Sequence, residues 1–331
     1  MFVENMNYRR VADLTVDTRQ FAQENLSDVD LVVGIPRSGL LAANLLCLHL
    51  NVPMTDVDRL CEGRLMDSGE RCAEDLSLRE FDSVLVVDDS VRSGSQMTET
   101  RNRLEEHEFP FDLSYGAIYV STRGCEYVDH WEEVVPMPRI FEWNTMHHPV
   151  LNDACVDIDG VLCRDPTPME NDDGDRYREF LSTVDPNIVP DQRIGHLVTS
   201  RLETYRPETE NWLDEHGVQY DNLVMMDLPS KAARQERGNH AQYKIEVYDS
   251  TEALLFIESD PRQAAEINRR TDKPVLCYET MEMFQPGRVK RSYRTAGRFA
   301  SRFRDNPVSF TTAAAKHLFY RNYYFISDRI S

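Results

Sequence analysis

The amino-acid sequence predicts an α/β protein built from two doubly wound parallel sheets, and three stretches carry this prediction. In the first, the apolar run Val84–Val87 leads directly into Asp88 and Asp89. Shorter apolar runs also end in polar turns, at residues 31–39 and 154–160. A continuous β-branched run bounded by turn residues is typical of a strand buried on both faces of a parallel sheet. The carboxyl ends of such strands are where α/β sheets bind ligands.

The length of the chain favours two domains and a tail. At 331 residues it exceeds one ordinary domain and can bury two cores. We expect one Rossmann-like domain at residues 1–145, a second at 152–285, and a basic, mainly helical tail at 286–331.

Charge is divided unevenly along the chain. The net charge is −20, yet residues 286–331 hold 10 Lys and Arg against 2 Asp and Glu. So acidic a body argues against nonspecific nucleic-acid binding by the two main domains. Only 5 of the 37 basic residues are Lys, which fits either a high-salt cytoplasm or GC-rich coding.

The cysteines and the apolar runs indicate the cellular compartment of the protein. The 7 cysteines are scattered without a CxxC pair, so neither a zinc site nor a disulfide framework is expected. The sequence shows no signal peptide, and no apolar run approaches the roughly 18 residues of a membrane span. We therefore expect a cytoplasmic protein.

The loop after Asp88 and Asp89 has the composition of an anion-binding turn. It consists of Arg92, Ser93, Gly94, Ser95 and Gln96. Successive backbone N–H groups and hydroxyls ahead of a helical stretch suit a phosphate. Two acids beside such a turn can hold the hydroxyls of a sugar whose phosphate the turn binds.

A second turn follows the apolar strand at residues 31–33 and precedes an apolar helix. Its residues are Pro36, Arg37, Ser38 and Gly39. Taken alone, this turn is a weak signal, because many strand-to-helix turns look alike. Its specificity comes from its spacing to the acidic pair Asp88 and Asp89.

Together, the stretches GIPRSG and VLVVDDSVRSGSQM resemble the motifs of type I phosphoribosyltransferases. The resemblance implies that Asp88 and Asp89 grip the ribose of Mg-bound phosphoribosyl pyrophosphate (PRPP), and that residues 92–96 hold its phosphate. It also implies that residues 36–39 hold the pyrophosphate, often through a non-proline cis peptide, with Arg37 as the cation. The polar segment at 61–81 would then be the family's mobile lid; otherwise it is a solvated loop.

Two residues depart from the family's pattern, so the acceptor cannot be inferred from purine or pyrimidine templates. Arg92 stands where many purine-type members carry an acid that assists at the base, and Gln96 stands where Thr is usual. In the family, the segment after the core strands helps to select the base, and here four aromatic residues could stack on a planar acceptor or pack in the core: Tyr119, Trp131, Phe141 and Trp143.

A second pair of acids opens the second domain. In ACVDIDGVLC, Asp157 and Asp159 lie two residues apart at a strand end, so strand alternation directs both side chains the same way. Each pair of unit charges at about 4 Å costs on the order of 4 kcal/mol at an effective dielectric of about 20. Two carboxylates facing a phosphate therefore require a cation, and Mg²⁺ is the natural oxygen-binding ion.

The stretch DIDGVL resembles the first motif of haloacid-dehalogenase-like (HAD) phosphohydrolases. The resemblance implies that Asp157 attacks phosphorus and that Asp159 is the general acid and base. It also implies that Thr199 hydrogen-bonds the phosphoryl oxygens. The short interval before Thr199 leaves room for a small insertion and not for a large cap domain.

The remaining pieces of the HAD pattern follow in order. Lys244 matches the lysine that neutralises the nucleophile and the phosphoryl group, with Lys231 as the rival. Glu258 and Asp260 correspond to acidic magnesium ligands that act together with the first acids, and which of the two contacts the metal stays open.

In the tail, apolar residues recur at helical spacing opposite a basic face. Three partners fit it: the chain's own acidic body or a second subunit of a homo-oligomer, an anionic membrane surface, or nucleic acid. The charge contrast between body and tail favours the first.

These interpretations combine into a bifunctional enzyme. One domain would transfer a phosphoribosyl group from Mg-PRPP to an unidentified acceptor, and the other would hydrolyse a phosphorylated small molecule with Mg²⁺. The 5′-phosphate of the transfer product is one candidate substrate. Two alternatives stay open: a PRPP-sensing regulator that binds without catalysis, and a phosphatase with an inactive transferase domain.

Overall fold

The computed structural model describes residues 6–26, 28–66, 77–230, 233 and 240–286. The chain divides into two compact units, Met1–Phe284 and Gln285–Ser331, and every element below belongs to the first. Three features named above lie outside the described residues: the tail from residue 287 onward, Lys231, and residues 67–76 of the segment that resembles a lid.

Strands and helices are numbered along the chain. The strands are β1 (Asn7–Arg9), β2 (Leu31–Gly34), β3 (Met54–Asp56), β4 (Ser83–Val91), β5 (Asp112–Val120), β6 (His130–Val134), β7 (Arg139–Phe141), β8 (Ala154–Val156), β9 (Ile194–Leu202), β10 (Tyr220–Met226), β11 (Leu255–Glu258), β12 (Val275–Cys277) and β13 (Glu282–Phe284). The α-helices are α1 (Val11–Asn25), α2 (Gly39–Leu50), α3 (Val57–Cys61), α4 (Ser95–Glu105), α5 (Asp175–Thr183), α6 (Arg206–Glu215), α7 (His240–Ser250) and α8 (Pro261–Thr271). Short 3₁₀ helices span Leu78–Glu80, Gly124–Tyr127, Glu142–His147, Pro149–Asp153 and Glu203–Tyr205.

The first large sheet is parallel throughout, with the spatial order β3-β2-β4-β5-β6. Its central strand β4 is buried on both faces: Val84 and Val86 pack into one core cluster, and Leu85 and Val87 into another. This double burial is the physical reason for the continuous apolar run. The strand order changes direction between β2 and β4, which makes this the topological switch point of the sheet.

The second large sheet has the order β10-β9-β8-β11-β12-β13, and only its edge strand β13 is antiparallel. Its central strand β8 is likewise buried on both faces, because Cys155 and Val156 pack into different core clusters. The switch point of this sheet lies between β8 and β11. The predicted α/β fold with two doubly wound parallel sheets is confirmed.

A two-stranded parallel ribbon of β1 and β7 joins the two cores. Successive residues of β7 alternate between them: Ile140 packs into the core of the second sheet, and Phe141 packs into a core cluster of the first. The hydroxyl of Tyr8 on β1 donates to the carbonyl oxygen of Met281 at 3.2 Å. Both sheets therefore belong to one compact unit. Among the described helices, none has the length and apolar character needed to cross a bilayer.

Candidate active sites

The first candidate site lies at the carboxyl edge of the first sheet, at its switch point. The strands β2 and β4 are neighbours there, and the backbone N–H of Ile35 donates to the carbonyl oxygen of Val87 at 2.9 Å. The turn at residues 36–39 and the acidic pair at the end of β4 therefore start from adjacent strand ends. The peptide bond between Pro36 and Arg37 is cis.

The two acids of β4 are buried and closely packed. The backbone N–H of Asp89 donates to Asp88 Oδ1 at 2.9 Å. Gly39, the first residue of α2, permits this packing, since a Cβ there would lie 2.9 Å from Asp88 Oδ1 and 2.9 Å from the Val87 carbonyl oxygen. Burial, followed by the charge of Asp89, raises the pKa of Asp88 well above its ordinary value. Such a pair favours a ligand that brings hydroxyl donors or a cation.

The loop after β4 turns sharply into helix α4. Gly94 adopts a φ of +78°, and a Cβ at this position would lie 2.1 Å from Tyr127 Cγ, so only glycine fits. The hydroxyls of Ser93 and Ser95 are hydrogen-bonded at 3.0 Å. The hydroxyls of Ser93 and Ser95 thus lie at the N-terminus of α4, which begins at Ser95, an arrangement that can bind a phosphate.

Three of the four aromatic candidates form a stack that reaches the acidic pair. The rings of Phe141 and Trp143 stack with centroids 4.9 Å apart, and those of Tyr119 and Phe141 with centroids 5.4 Å apart. Tyr119 and Phe141 are buried, whereas Trp143 is half-buried and its indole Nε1–H donates to Asp89 Oδ2 at 2.7 Å. Trp131 lies on the edge strand β6 and is 40% exposed.

A basic residue that the sequence reasoning missed lies beside this site. Arg139 on β7 is 4% exposed, and its guanidinium carbon lies 5.3 Å from the centroid of Phe141. Burial lowers the pKa of Arg139 to about 10, and the charges of Asp89, Arg92 and Asp88 also act on it. The available signal was an arginine inside the otherwise apolar stretch VVPMPRIF.

The second candidate site lies at the switch point of the second sheet, where three buried side chains form one hydrogen-bonded group. Lys244 Nζ on α7 donates to Asp157 Oδ2 and to Glu258 Oε2, both at 2.6 Å. Burial raises the pKa of Asp157, and Lys244 opposes this effect. Burial acts to lower the pKa of Lys244, but its two carboxylate partners outweigh this and raise the pKa. The three residues predicted from separate parts of the sequence therefore lie together.

The remaining acid of the first pair, Asp159, is held by a residue that the sequence reasoning also missed. Arg201 is fully buried, and it donates to Asp159 Oδ1 through Nη2 at 2.7 Å and to Oδ2 through Nε at 3.1 Å. Thr199 Oγ1 accepts from the backbone N–H of Arg201 at 3.2 Å. The sequence did contain a local signal for Arg201. Residues two apart on a strand share a face, so Arg201 lies on the same face as the predicted Thr199.

The predicted metal ligands have other partners in this structure. Asp260 caps helix α8 by accepting from the backbone N–H groups of Arg262 at 2.7 Å and Gln263 at 3.0 Å. Among the residues that the structure describes, no three His, Cys, Asp or Glu side chains are arranged as a metal site. The atoms that these acids could offer to a metal are nevertheless all oxygens. A further acid, Asp165, has a pKa raised by burial and by the charge of Asp159. In chemistry, this donor set fits Mg²⁺.

A cleft lies beside the second site. Its volume is about 450 Å³, and its lining consists of Gly160, Asp165, Ser259, Asp260, Tyr278 and Glu279. The Ser259 hydroxyl on its wall donates to the carbonyl oxygen of Asp159 at 3.2 Å.

Comparison with known proteins gives only distant likenesses. No protein-family model matches the chain, and no curated protein matches it. Among solved structures, it is similar to a xanthine-guanine-hypoxanthine phosphoribosyltransferase of Helicobacter pylori, with 15% identity, a TM-score of 0.33, and coverage of 42% of this chain and 94% of that one. It is also similar to a purine phosphoribosyltransferase of Pyrococcus horikoshii, with 16% identity, a TM-score of 0.31, and coverage of 41% and 92%. Likenesses at these TM-scores carry no conclusion about function, and the α/β assignment rests on the strand order itself.

Proposed function

We propose that the chain is an enzyme with two separate active sites, one for phosphoribosyl transfer from Mg-PRPP and one for phosphomonoester hydrolysis. The observation that carries the proposal is common to both sheets. At the first switch point Gly39 of the expected pyrophosphate turn packs against Asp88, and at the second Lys244 bonds both Asp157 and Glu258. Open α/β sheets bind their ligands at such points.

In the transferase site, different residues would bind different parts of PRPP. The N-terminus of α4 and the loop of residues 92–96 would bind the 5′-phosphate, and residues 36–39 with Arg37 would bind the pyrophosphate. The carboxylates of Asp88 and Asp89 would accept hydrogen bonds from the ribose hydroxyls. Among the described residues, neither carboxylate has a cation within ion-pair distance, so the pair fits Mg²⁺. When bound beside Asp88 and Asp89, Mg²⁺ would neutralise charge on the pyrophosphate.

The transfer step exchanges one bond for another at C1 of the ribose. The bond from C1 to the pyrophosphate oxygen breaks, and its electron pair leaves with pyrophosphate. A lone pair of the acceptor forms the new bond to C1, and any proton released from the acceptor goes to solvent. Positive charge develops on the ribose in this step, and the buried carboxylates of Asp88 and Asp89 are oriented in advance to stabilise it.

In the hydrolase site, Asp157 would be the nucleophile. Its Oδ2 bonds Lys244, and its Oδ1 accepts from the backbone N–H of Ile158 at 2.8 Å, so the carboxylate is fixed at the strand end. Attack on phosphorus breaks the ester bond and gives an aspartyl-phosphate. Asp159, oriented by Arg201, would donate a proton to the leaving alcohol and then take one from the water that hydrolyses the aspartyl-phosphate.

The cation of this site would be Mg²⁺, held by Asp157, Asp159 and Glu258, and its role would be to neutralise the phosphoryl oxygens. Lys244 and Thr199 would bind the same oxygens. The substrate would be a phosphorylated small molecule that enters through the acidic cleft, and the 5′-phosphate of the transfer product is the candidate that links the two reactions.

The test separates the two reactions by their products. Wild-type protein is incubated with Mg-PRPP and a panel of acceptors, and separately with p-nitrophenyl phosphate; pyrophosphate and inorganic phosphate are then measured. We expect Asp157→Asn to abolish phosphate release and to leave pyrophosphate release intact, and Asp88→Asn/Asp89→Asn to do the reverse. Absence of both PRPP binding and phosphate release in the wild type would overturn the proposal.

Two observations favour the PRPP-sensing alternative for the first site. The indole of Trp143 already bonds one oxygen of Asp89, and Arg92 replaces an acid that assists at the base in similar enzymes. A sensor would bind PRPP in calorimetry and release no pyrophosphate with any acceptor.

A further inference from the structure

Arg92 and Arg139 lie near the acidic pair of the first site and His148 lies near both arginines, and the donors of these three side chains lack acceptors among the described residues. The charges of Arg92 and Arg139 both act on His148, whose pKa is lowered first by its burial and then by these two arginines. His148 Nδ1 accepts from the backbone N–H of Val150 at 3.1 Å, so the proton of the neutral ring is on Nε2. Arg92 is exposed.

Arg139 differs from the other buried arginines in its lack of a partner. Arg201 is paired with Asp159 at 2.7 Å, and Arg9 is paired with Glu133 at 2.7 Å and 3.0 Å. By contrast, Nη1 of Arg139 is buried and has no hydrogen-bond partner in the described structure. A buried guanidinium without an acceptor is costly. A buried guanidinium without an acceptor is what we expect of a ligand-binding arginine, and not of an arginine in a structural ion pair.

Arg139 comes from a different strand than the two loops expected to bind the phosphates of PRPP. The loops at residues 36–39 and 92–96 follow β2 and β4, whereas Arg139 comes from β7, on the same face as Phe141. Phe141 stacks on Trp143, so the guanidinium of Arg139 lies against a member of the aromatic stack. An anion near Asp88 and Asp89 would be repelled unless a cation offsets these acids, and Arg92 and Arg139 supply that charge.

We propose that the acceptor of the first site is a planar ring that carries a carboxylate, with the carboxylate bound by Arg139 and the ring placed against Trp143. The planar guanidinium matches a carboxylate with two parallel hydrogen bonds, and Nε2–H of His148 adds a further donor. This inference rests on the proposed transferase function, because it names the class of acceptor for that site.

The experiment measures ligand binding without turnover. Orotate is compared with uracil, and nicotinate with nicotinamide, by calorimetry on the full chain without PRPP; PRPP is titrated separately. The variants are Arg139→Gln, Arg139→Lys and a control, Arg193→Gln, which removes an arginine that is half-exposed and paired with Asp221. We expect wild-type protein and the control to bind at least one carboxylate roughly 10- to 100-fold more tightly than its uncharged counterpart. Arg139→Gln should lose this preference, Arg139→Lys should keep part of it, and PRPP affinity should stay within about twofold in each.

Each other outcome has a distinct meaning. If wild-type protein binds neither carboxylate more tightly than its counterpart, the inference is wrong even when PRPP binds. If Arg139→Gln weakens PRPP binding and leaves the carboxylate preference intact, Arg139 belongs to the donor site and the inference is also wrong. If PRPP does not bind but the Arg139-dependent preference is present, the proposed transfer fails and the carboxylate site is supported.

Discussion

Replacing Lys244 with Met is expected to lower the free energy of unfolding by roughly 3–5 kcal/mol at neutral pH, the usual cost of removing one partner of a buried ion pair. Lys244 Nζ is 2.6 Å from an oxygen of Asp157 and 2.6 Å from an oxygen of Glu258, and all three side chains are buried. Met is similar in length, so the substitution leaves little cavity. What is lost is the one charge that pairs with both carboxylates.

The loss of stability should depend on pH, and the two carboxylates determine the direction of this dependence. Burial already raises the pKa of Asp157, and removing Lys244 removes the group that opposes this rise. A carboxyl group with a raised pKa in the folded state binds more protons there than in the unfolded chain, so stability falls as pH rises from the unfolded pKa through the folded one. The deficit of the variant should therefore shrink as the pH is lowered, by up to about 1.4 kcal/mol per pH unit for each proton bound.

Urea unfolding of wild-type and variant protein at about pH 7.5 and about pH 5.5 measures this difference. Trp212 is a suitable fluorescent probe, because it is buried within the core of the second sheet. Lys273→Met is the matched control, since Lys273 Nζ donates to the backbone carbonyl oxygens of Tyr248 at 2.8 Å and Thr251 at 2.9 Å and to no carboxylate. Its deficit should be the same at both pH values. A Lys244→Met deficit that is also independent of pH, or absent, would show that Lys244 does not offset the charge of the two carboxylates.

Three further substitutions test individual contacts. Gly39→Ala places a Cβ 2.9 Å from a buried carboxylate oxygen; it should cost about 1–3 kcal/mol in thermal unfolding and weaken PRPP binding in calorimetry. Trp143→Phe keeps the ring stack but removes the donor to Asp89, so urea unfolding should show a loss of about 1–3 kcal/mol; an unchanged midpoint would argue against this hydrogen bond. Arg201→Gln leaves Asp159 without its bidentate partner, so phosphate release should fall with little change in PRPP affinity, and an unchanged rate would contradict the positioning role of Arg201.

The sequence was most informative where strands are buried on both faces. The run before Asp88 is continuously apolar because its residues pack alternately into two core clusters, and this burial leaves a clear pattern. The short strand before Asp157 is buried in the same way. Acids that directly follow such runs stand at the edge where ligands bind, so local pattern alone locates them.

The sequence was less informative where a side chain reaches a site from elsewhere in the fold. Arg139 was missed, and Trp143 was named only as an aromatic candidate without its contact to Asp89, because both approach the site through the pairing of β7 with β1 and not through local pattern. Asp260 shows the opposite case, because an acid directly before a proline at a helix start is also a typical N-cap. The local sequence therefore allowed Asp260 to be either a metal ligand or a helix cap. The helix begins directly after Asp260, as the capping interpretation requires.

The central claim is that the acidic pair of the first sheet binds PRPP independently of the hydrolase site. Calorimetric titration of Mg-PRPP into Asp157→Asn protein tests it most directly, because hydrolysis through the nucleophile is then removed. We expect saturable binding at one site per chain, retained in this variant and lost when Asp88→Asn and Asp89→Asn are added. Absence of binding, or binding that survives the added substitutions, would contradict it.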